Sequence, residues 1–128
     1  MNTKSKIVLA IVAGAALGAA ATQGLQAQAK LKAYSVSELD VSDMEAQKAF
    51  LPAARTAIEG AHGRALRTAA GRVEHIEGAA APKSVAIIEW DSLGDAQAFY
   101  KSKAWTDLAP QRDKAYKTVR RYVVEVEK

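Results

Sequence analysis

A carboxylate stands at the end of the most apolar run of the sequence: Glu89 follows Val85-Ala86-Ile87-Ile88 and precedes Trp90. A lone carboxylate among such neighbours is costly, so Glu89 calls for a cation, and Arg112 and Arg120 are the candidates to supply it. A guanidinium can give two parallel donors to a carboxylate and keep others for a ligand. Glu89, Arg112 and Arg120 beside Trp90 are therefore read as one polar cluster, either an anion- or carbonyl-binding site or a structural ion pair. Glu77 and Tyr100 are further candidates for the wall of that pocket, although Trp90 and Tyr100 fit equally as core. For catalysis the candidates are Glu89 and His62. Histidine is the side chain that titrates nearest neutrality and suits general-base work; beside Gly63, His62 also reads simply as a helix end. The basic group Lys114, Lys117, Arg120 and Arg121 reads as solvated surface.

Other chemistries are excluded by what the chain lacks. With no cysteine there is no disulfide, thiolate nucleophile or thiolate metal site. The two histidines, His62 and His75, form no HExxH repeat and have no carboxylates at ligand spacing, so no metal and no cofactor are expected. No nucleophile elbow, phosphate loop or catalytic carboxylate pair is present.

The amino terminus has the layout of a signal peptide. Lys4 and Lys6 precede an uncharged apolar run of 15 residues, Ile7 to Ala21, and Ala27-Gln28-Ala29 offers the small residues that a signal peptidase requires. The run is shorter than the ~20 residues of a membrane span, so residues 1–29 are expected to be removed, leaving 30–128 as one domain in the periplasm or secreted, with no stable membrane insertion. That removal takes away two of 18 basic residues and none of 14 acidic ones, which lowers the net charge from +4 to +2. A nearly neutral exported domain is not expected to bind nucleic acid.

The elements that would carry these residues follow from local patterns. Tyr34 and Val36 alternate as a half-buried strand over residues 33–39 requires. Ser42 and Glu45 form a capping-box pair ahead of a helix whose stripe is Met44, Gln47, Leu51, Ala54, Ile58 and Ala61, with Pro52 predicting a kink and Gly63 a left-handed close. Residues 64–70 and 72–77 read as a polar edge strand with a bulge at Gly71, and residues 78–83 as a hairpin loop. Residues 84–91 form a central strand apolar on both faces. Ser92 and Asp95 cap a second helix with Ala96, Phe99 and Tyr100 inside, continued by Trp105, Leu108, Arg112 and Ala115 and broken near Pro110; residues 119–127 close the chain as a strand.

The order is βαββαβ, a ferredoxin-like α+β sandwich: a four-stranded antiparallel sheet with both helical segments on one face. A central strand apolar on both faces then leaves an apolar sheet surface in need of a partner, and a second copy closing a dimeric α/β barrel is the simplest one.

The mature chain resembles domain-of-unknown-function family 1330 (DUF 1330), within the dimeric α/β-barrel superfamily, and in particular its exported members. The resemblance rests on Gly63, Gly71-Arg72-Val73, Glu77-Gly78, Trp90-Asp91-Ser92, Ala96, Ala98, Tyr116, Arg120 and Val124-Glu125. Two departures stand out: Arg64 and Ala70 each replace one glycine of a pair, and Ala69 stands where some members have arginine, so an arginine site there is not implied. The resemblance implies no assigned chemistry. Its superfamily includes cofactor-independent oxygenases and isomerases as well as members without known activity, which leaves two expectations: a homodimer that binds a small molecule, or such an enzyme acting on a small organic compound.

Overall fold

Trp90 and the aromatic side chains around it decide which face of the sheet is covered. The computed structural model describes residues 31–68 and 71–127, so the expected leader, 1–29, lies outside the described residues. Strands β1 (Lys32–Val41), β2 (Arg64–Leu66), β3 (Ser84–Trp90) and β4 (Tyr116–Val126) form an antiparallel sheet in the order β2-β3-β1-β4. Helices α1 (Met44–Gly60), α2 (Leu93–Lys101), α3 (Lys103–Thr106) and α4 (Ala109–Ala115) pack on one face. This is the expected ferredoxin-like arrangement. Among the described residues no helix is long and apolar enough to cross a membrane.

On the covered face β1 presents Ala33, Ser35 and Ser37, opposite Trp90, Ile88 and Ala86 of β3. Tyr34 and Val36, which alternation marks as the half-buried positions, point to the open face instead. The reason is volume and polarity together. Trp90, Phe99, Tyr100 and Trp105 stack in mutual contact under the helices, with centroids 4.8–6.1 Å apart, and leave room on β1 only for small residues. The indole Nε1 of Trp90 and the hydroxyl of Tyr100 both donate to Ser35 Oγ, at 3.0 and 2.7 Å. A valine there would leave two buried donors unmatched.

Several local expectations need correction. Asp43 rather than Ser42 caps α1, its Oδ1 accepting from the Ala46 amide at 3.0 Å. The buried stripe of α1 is Phe50, Ala54 and Ile58, spaced by four; Met44 and Leu51 are exposed. Pro52 sits within one continuous helix and costs it the amide that would bond Lys48. At the far end, the left-handed residue is His62, φ 62°, and not Gly63. Gly63 N–H reaches Ile58 O at 2.9 Å and His62 N–H reaches Glu59 O at 3.0 Å, the paired closure of a Schellman turn. Gly63 is needed for a different reason: a Cβ there would lie 2.8 Å from the Trp90 ring and from Ile58 Cγ2.

The second strand is also shorter than expected. Among the described residues of this stretch, Arg64–Leu66 alone pairs with β3, and residues 72–77 form no strand. Val73 and Ile76 are three apart, which suits no face of a strand; Gly71 turns with φ +66°, and Ile76 is 83% exposed. The helical part after β3 divides into three pieces, not two. Ser92 Oγ caps α2 through the Asp95 amide at 3.1 Å, as expected, while Ser102 is extended between α2 and α3, and Pro110 falls in the first turn of α4.

Candidate functional site

Between the covered face and the helices lies a cavity of about 260 Å³. Its apolar wall is built from Leu39 on β1, Phe50, Ala54 and Ile58 on α1, Ile88 on β3 and Tyr116 on β4. The polar groups at its rim include Ser37, Tyr100, Arg112 and Arg121, with the exposed Arg55 and Thr68 further round. Strand alternation explains why Arg121 is there: opposite Ser37, it shares the covered face with Val123, while its neighbour Arg120 pairs with Glu38 on the other.

Arg112 donates through Nη1 to the Trp105 carbonyl at 3.3 Å, and its guanidinium lies 4.5 Å from the centre of the Trp105 ring. The Arg121 guanidinium lies 5.0 Å from the same ring and 5.4 Å from that of Tyr100, and its Nε donates to Ser37 Oγ at 2.8 Å. Burial lowers the pKa of Arg121 from its ordinary value, and the Arg112 charge pushes the same way. Burial raises the Tyr100 hydroxyl, which keeps it a hydrogen-bond donor. Tyr116 is raised for the same reason.

A second concentration of charge lies on the open face, at one end of the sheet. Arg64 Nε donates to Glu89 at 2.9 Å and its Nη2 to Asp91 at 2.9 Å; Lys32 Nζ reaches Asp91 at 2.8 Å, and the Tyr34 hydroxyl reaches Glu89 at 3.2 Å. The hydrogen bond from Arg64 holds the Glu89 carboxyl below its usual range, and those from Lys32 and then Arg64 do so for Asp91. Further along this face Arg120 pairs with Glu38 through both its Nε and Nη2, which lowers Glu38.

The polar cluster expected from the sequence is thus divided by the sheet. Glu89 and Arg120 are on the open face with separate partners, Arg64 and Glu38. Arg112 is on the covered side, and Trp90, wholly buried, lies in the core. Arg112 and Tyr100 do line the cavity. Glu77 is exposed in the stretch after Gly71, and His62 is exposed at its helix end. Arg121, Ser37 and Arg64 belong to these sites although no motif or spacing in the sequence marks them. Alternation along β4 separates Arg121 from Arg120, but nothing in that pattern says which of the two lies beneath the helices. Among the described residues no group of three His, Cys, Asp or Glu side chains is placed to hold a metal.

A family model described as "Domain of unknown function (DUF1330)" matches residues 32–126. No curated protein matches the chain. The structure is similar to that of a protein of unknown function from Rhodopseudomonas palustris, at 11% sequence identity and a TM-score of 0.56, over 77% of this chain and 83% of that one. A conserved protein from Methanosarcina mazei Go1 aligns at 15% identity and a TM-score of 0.48, over 78% of this chain and 97% of that one. At such identity the first likeness supports the fold alone.

Proposed function

Because the chain belongs to domain-of-unknown-function family 1330, whose description names no chemistry, we propose from its own geometry that it is an exported homodimer that binds a small molecule between sheet and helices. The observation that carries this reading is the cavity itself, an apolar chamber with a few convergent polar groups at its rim, which is how small-molecule sites are generally built. The alternative, a cofactor-independent oxygenase or isomerase, needs a base within reach of the substrate. The titratable groups among the described lining residues are two tyrosines and three arginines, and burial raises both tyrosines. Binding is therefore the better supported function.

The dimer reading draws on the open face. Leu66, Ile87, Val36 and Tyr122 stand side by side across all four strands, with Val124 next to them, and the ion pairs of Arg64 and Arg120 flank this stripe. An apolar band bordered by charge has the layout of an interface, and a second copy presents the same band. Export rests on the Lys4/Lys6 flank, the apolar run and the Ala27-Gln28-Ala29 site.

Native mass spectrometry of protein recovered from the periplasm tests all three parts. The expected species is a dimer of chains beginning at Lys30, carrying a retained small molecule, and Ile87→Glu should convert it to monomer. A monomer at all concentrations rules out the dimer, a full-length mass rules out cleavage, and failure to bind any small apolar probe rules out the cavity as a site.

A further inference from the structure

Of the three strand arginines among the described residues, the two exposed ones hold carboxylates and the sheltered one does not. Arg64 and Arg120, both well exposed, each hold a carboxylate. Arg121, the more buried cation, has no carboxylate within 4.0 Å among the described residues; its Nε is satisfied by Ser37, and neither terminal nitrogen has a protein acceptor there. Its charged neighbour is a second cation, Arg112, whose nearest carboxylate oxygen, on the exposed Asp113, is 3.7 Å away. Desolvating a cation without a counter-charge is unfavourable, and setting two cations against one indole adds mutual repulsion. An arrangement of that kind is relieved by an anion arriving from outside.

We propose, building on the binding reading above, that the cavity takes a small carboxylate with an apolar body, its carboxylate held by Arg121 and Arg112 and its body among Leu39, Phe50, Ala54, Ile58 and Ile88. Arg121 emerges from β4 with Nε fixed by Ser37 and its plane supported by Trp105 and Tyr100. That leaves its Nη edge to meet a planar carboxylate with two parallel bonds. The Tyr100 hydroxyl already donates to Ser35, so the arginines are the donors left for the ligand. Arg55 and Thr68, both exposed, also line the cavity, and the wall between them and the Arg112–Arg121 pair is mainly apolar, which suits a carboxylate with an aliphatic or aromatic tail. At about 260 Å³ the chamber falls just below the usual range of ~300–1,000 Å³ for ligand pockets, so the ligand is small. Arg121, Tyr100 and Trp105 also line a more open depression beside Gln97 and Lys101, so the guanidinium stands where an anion comes in from solvent.

Calorimetric titration with hexanoate and with hexanamide, equal in length and differing in charge, tests the assignment. The unsubstituted protein should bind hexanoate about tenfold or more tightly than hexanamide. Arg121→Gln should reduce that preference to about twofold or less, and Arg121→Lys should restore part of it. If Arg121→Gln does not fold, as judged by its melting curve, Arg112→Gln provides the second test, and the acid-to-amide ratio of the unsubstituted protein stands independently of both. Equal binding of the two probes overturns the carboxylate assignment while leaving the cavity a binding site. Failure of both to bind overturns the assignment and the binding reading together.

Discussion

The two faces of the sheet are made from the same strands and handle bulk and charge in opposite ways. Under the aromatic stack of the covered face β1 offers Ala33, Ser35 and Ser37, and the volume comes from Trp90, Phe99 and Trp105. On the open face β1 carries Tyr34, Val36 and Glu38, and the neighbouring strands add Ile87, Tyr122 and Val124. Charge follows the reverse rule: the open face matches Arg64 and Arg120 with carboxylates, whereas the covered face shelters Arg121 without one. The difference teaches that packing within the chain is completed on one side only. Each face is finished in the respect in which the other is open.

Substitutions can sharpen or break this contrast. The largest effect is expected from Trp90→Ala, which removes the wholly buried centre of the covered face and should cost about 3–5 kcal/mol in denaturant unfolding. Val124→Ala, its counterpart on the open face, should cost under about 1 kcal/mol in dilute protein and more as concentration rises. Equal losses at every concentration would remove the distinction between the faces. Next comes Gly63→Ala, where the added methyl meets the Trp90 ring and should cost about 1–3 kcal/mol. The adjacent His62→Gly should act the other way and stabilise by about 0.5–1 kcal/mol, since glycine takes the left-handed position without strain.

Smaller changes probe charge. Arg121→Met keeps length and discards an unpaired, half-buried cation, so the ligand-free protein should gain about 1 kcal/mol while losing carboxylate binding. A thermal melt with and without hexanoate reads both. The smallest effect is that of acid. Glu38, Glu89 and Asp91 are held below their ordinary values in the folded state, so the unfolded chain binds more protons as pH falls, and the stability they contribute is present above the ordinary carboxylate range and lost below it. The melting temperature should decline from about pH 4.5 downward, and Glu89→Gln should make that decline shallower. A profile unchanged by Glu89→Gln would show that its partnership with Arg64 contributes nothing to stability.

The order of elements was legible because Ser92 and the apolar run at residues 85–88 act locally, as a helix cap and as a buried strand; Gly63 instead serves a close approach to Trp90 that no local signal marks. Glu89 in its apolar run is visibly a carboxylate in need of a cation, yet the cation is Arg64, which the sequence presents only as a substituted glycine. Pairing partners depend on strand register, and no local signal fixes register between β2 and β3. The same limit hid Arg121, since two adjacent arginines on a strand look alike until the sheet acquires a covered side. The serines of β1 illustrate a further limit: alternation finds two faces, but Ser35 is inside as the acceptor for the Trp90 indole and the Tyr100 phenol, and Ser37 as the acceptor for the Arg121 guanidinium.

The brevity of β2 has a consequence of its own. It pairs with Ile87, Ile88 and Glu89 only, so among the described residues the outer border of β3 from Ser84 to Ala86 has no strand beside it. Unclaimed amides and carbonyls of this kind invite a foreign strand to add on and seed aggregates. Pro82, which has no amide to donate, and the charged Lys83 stand immediately ahead of this border. They are the residue types that turn such additions away, so a short strand and its two guards form one device against strand addition at this border.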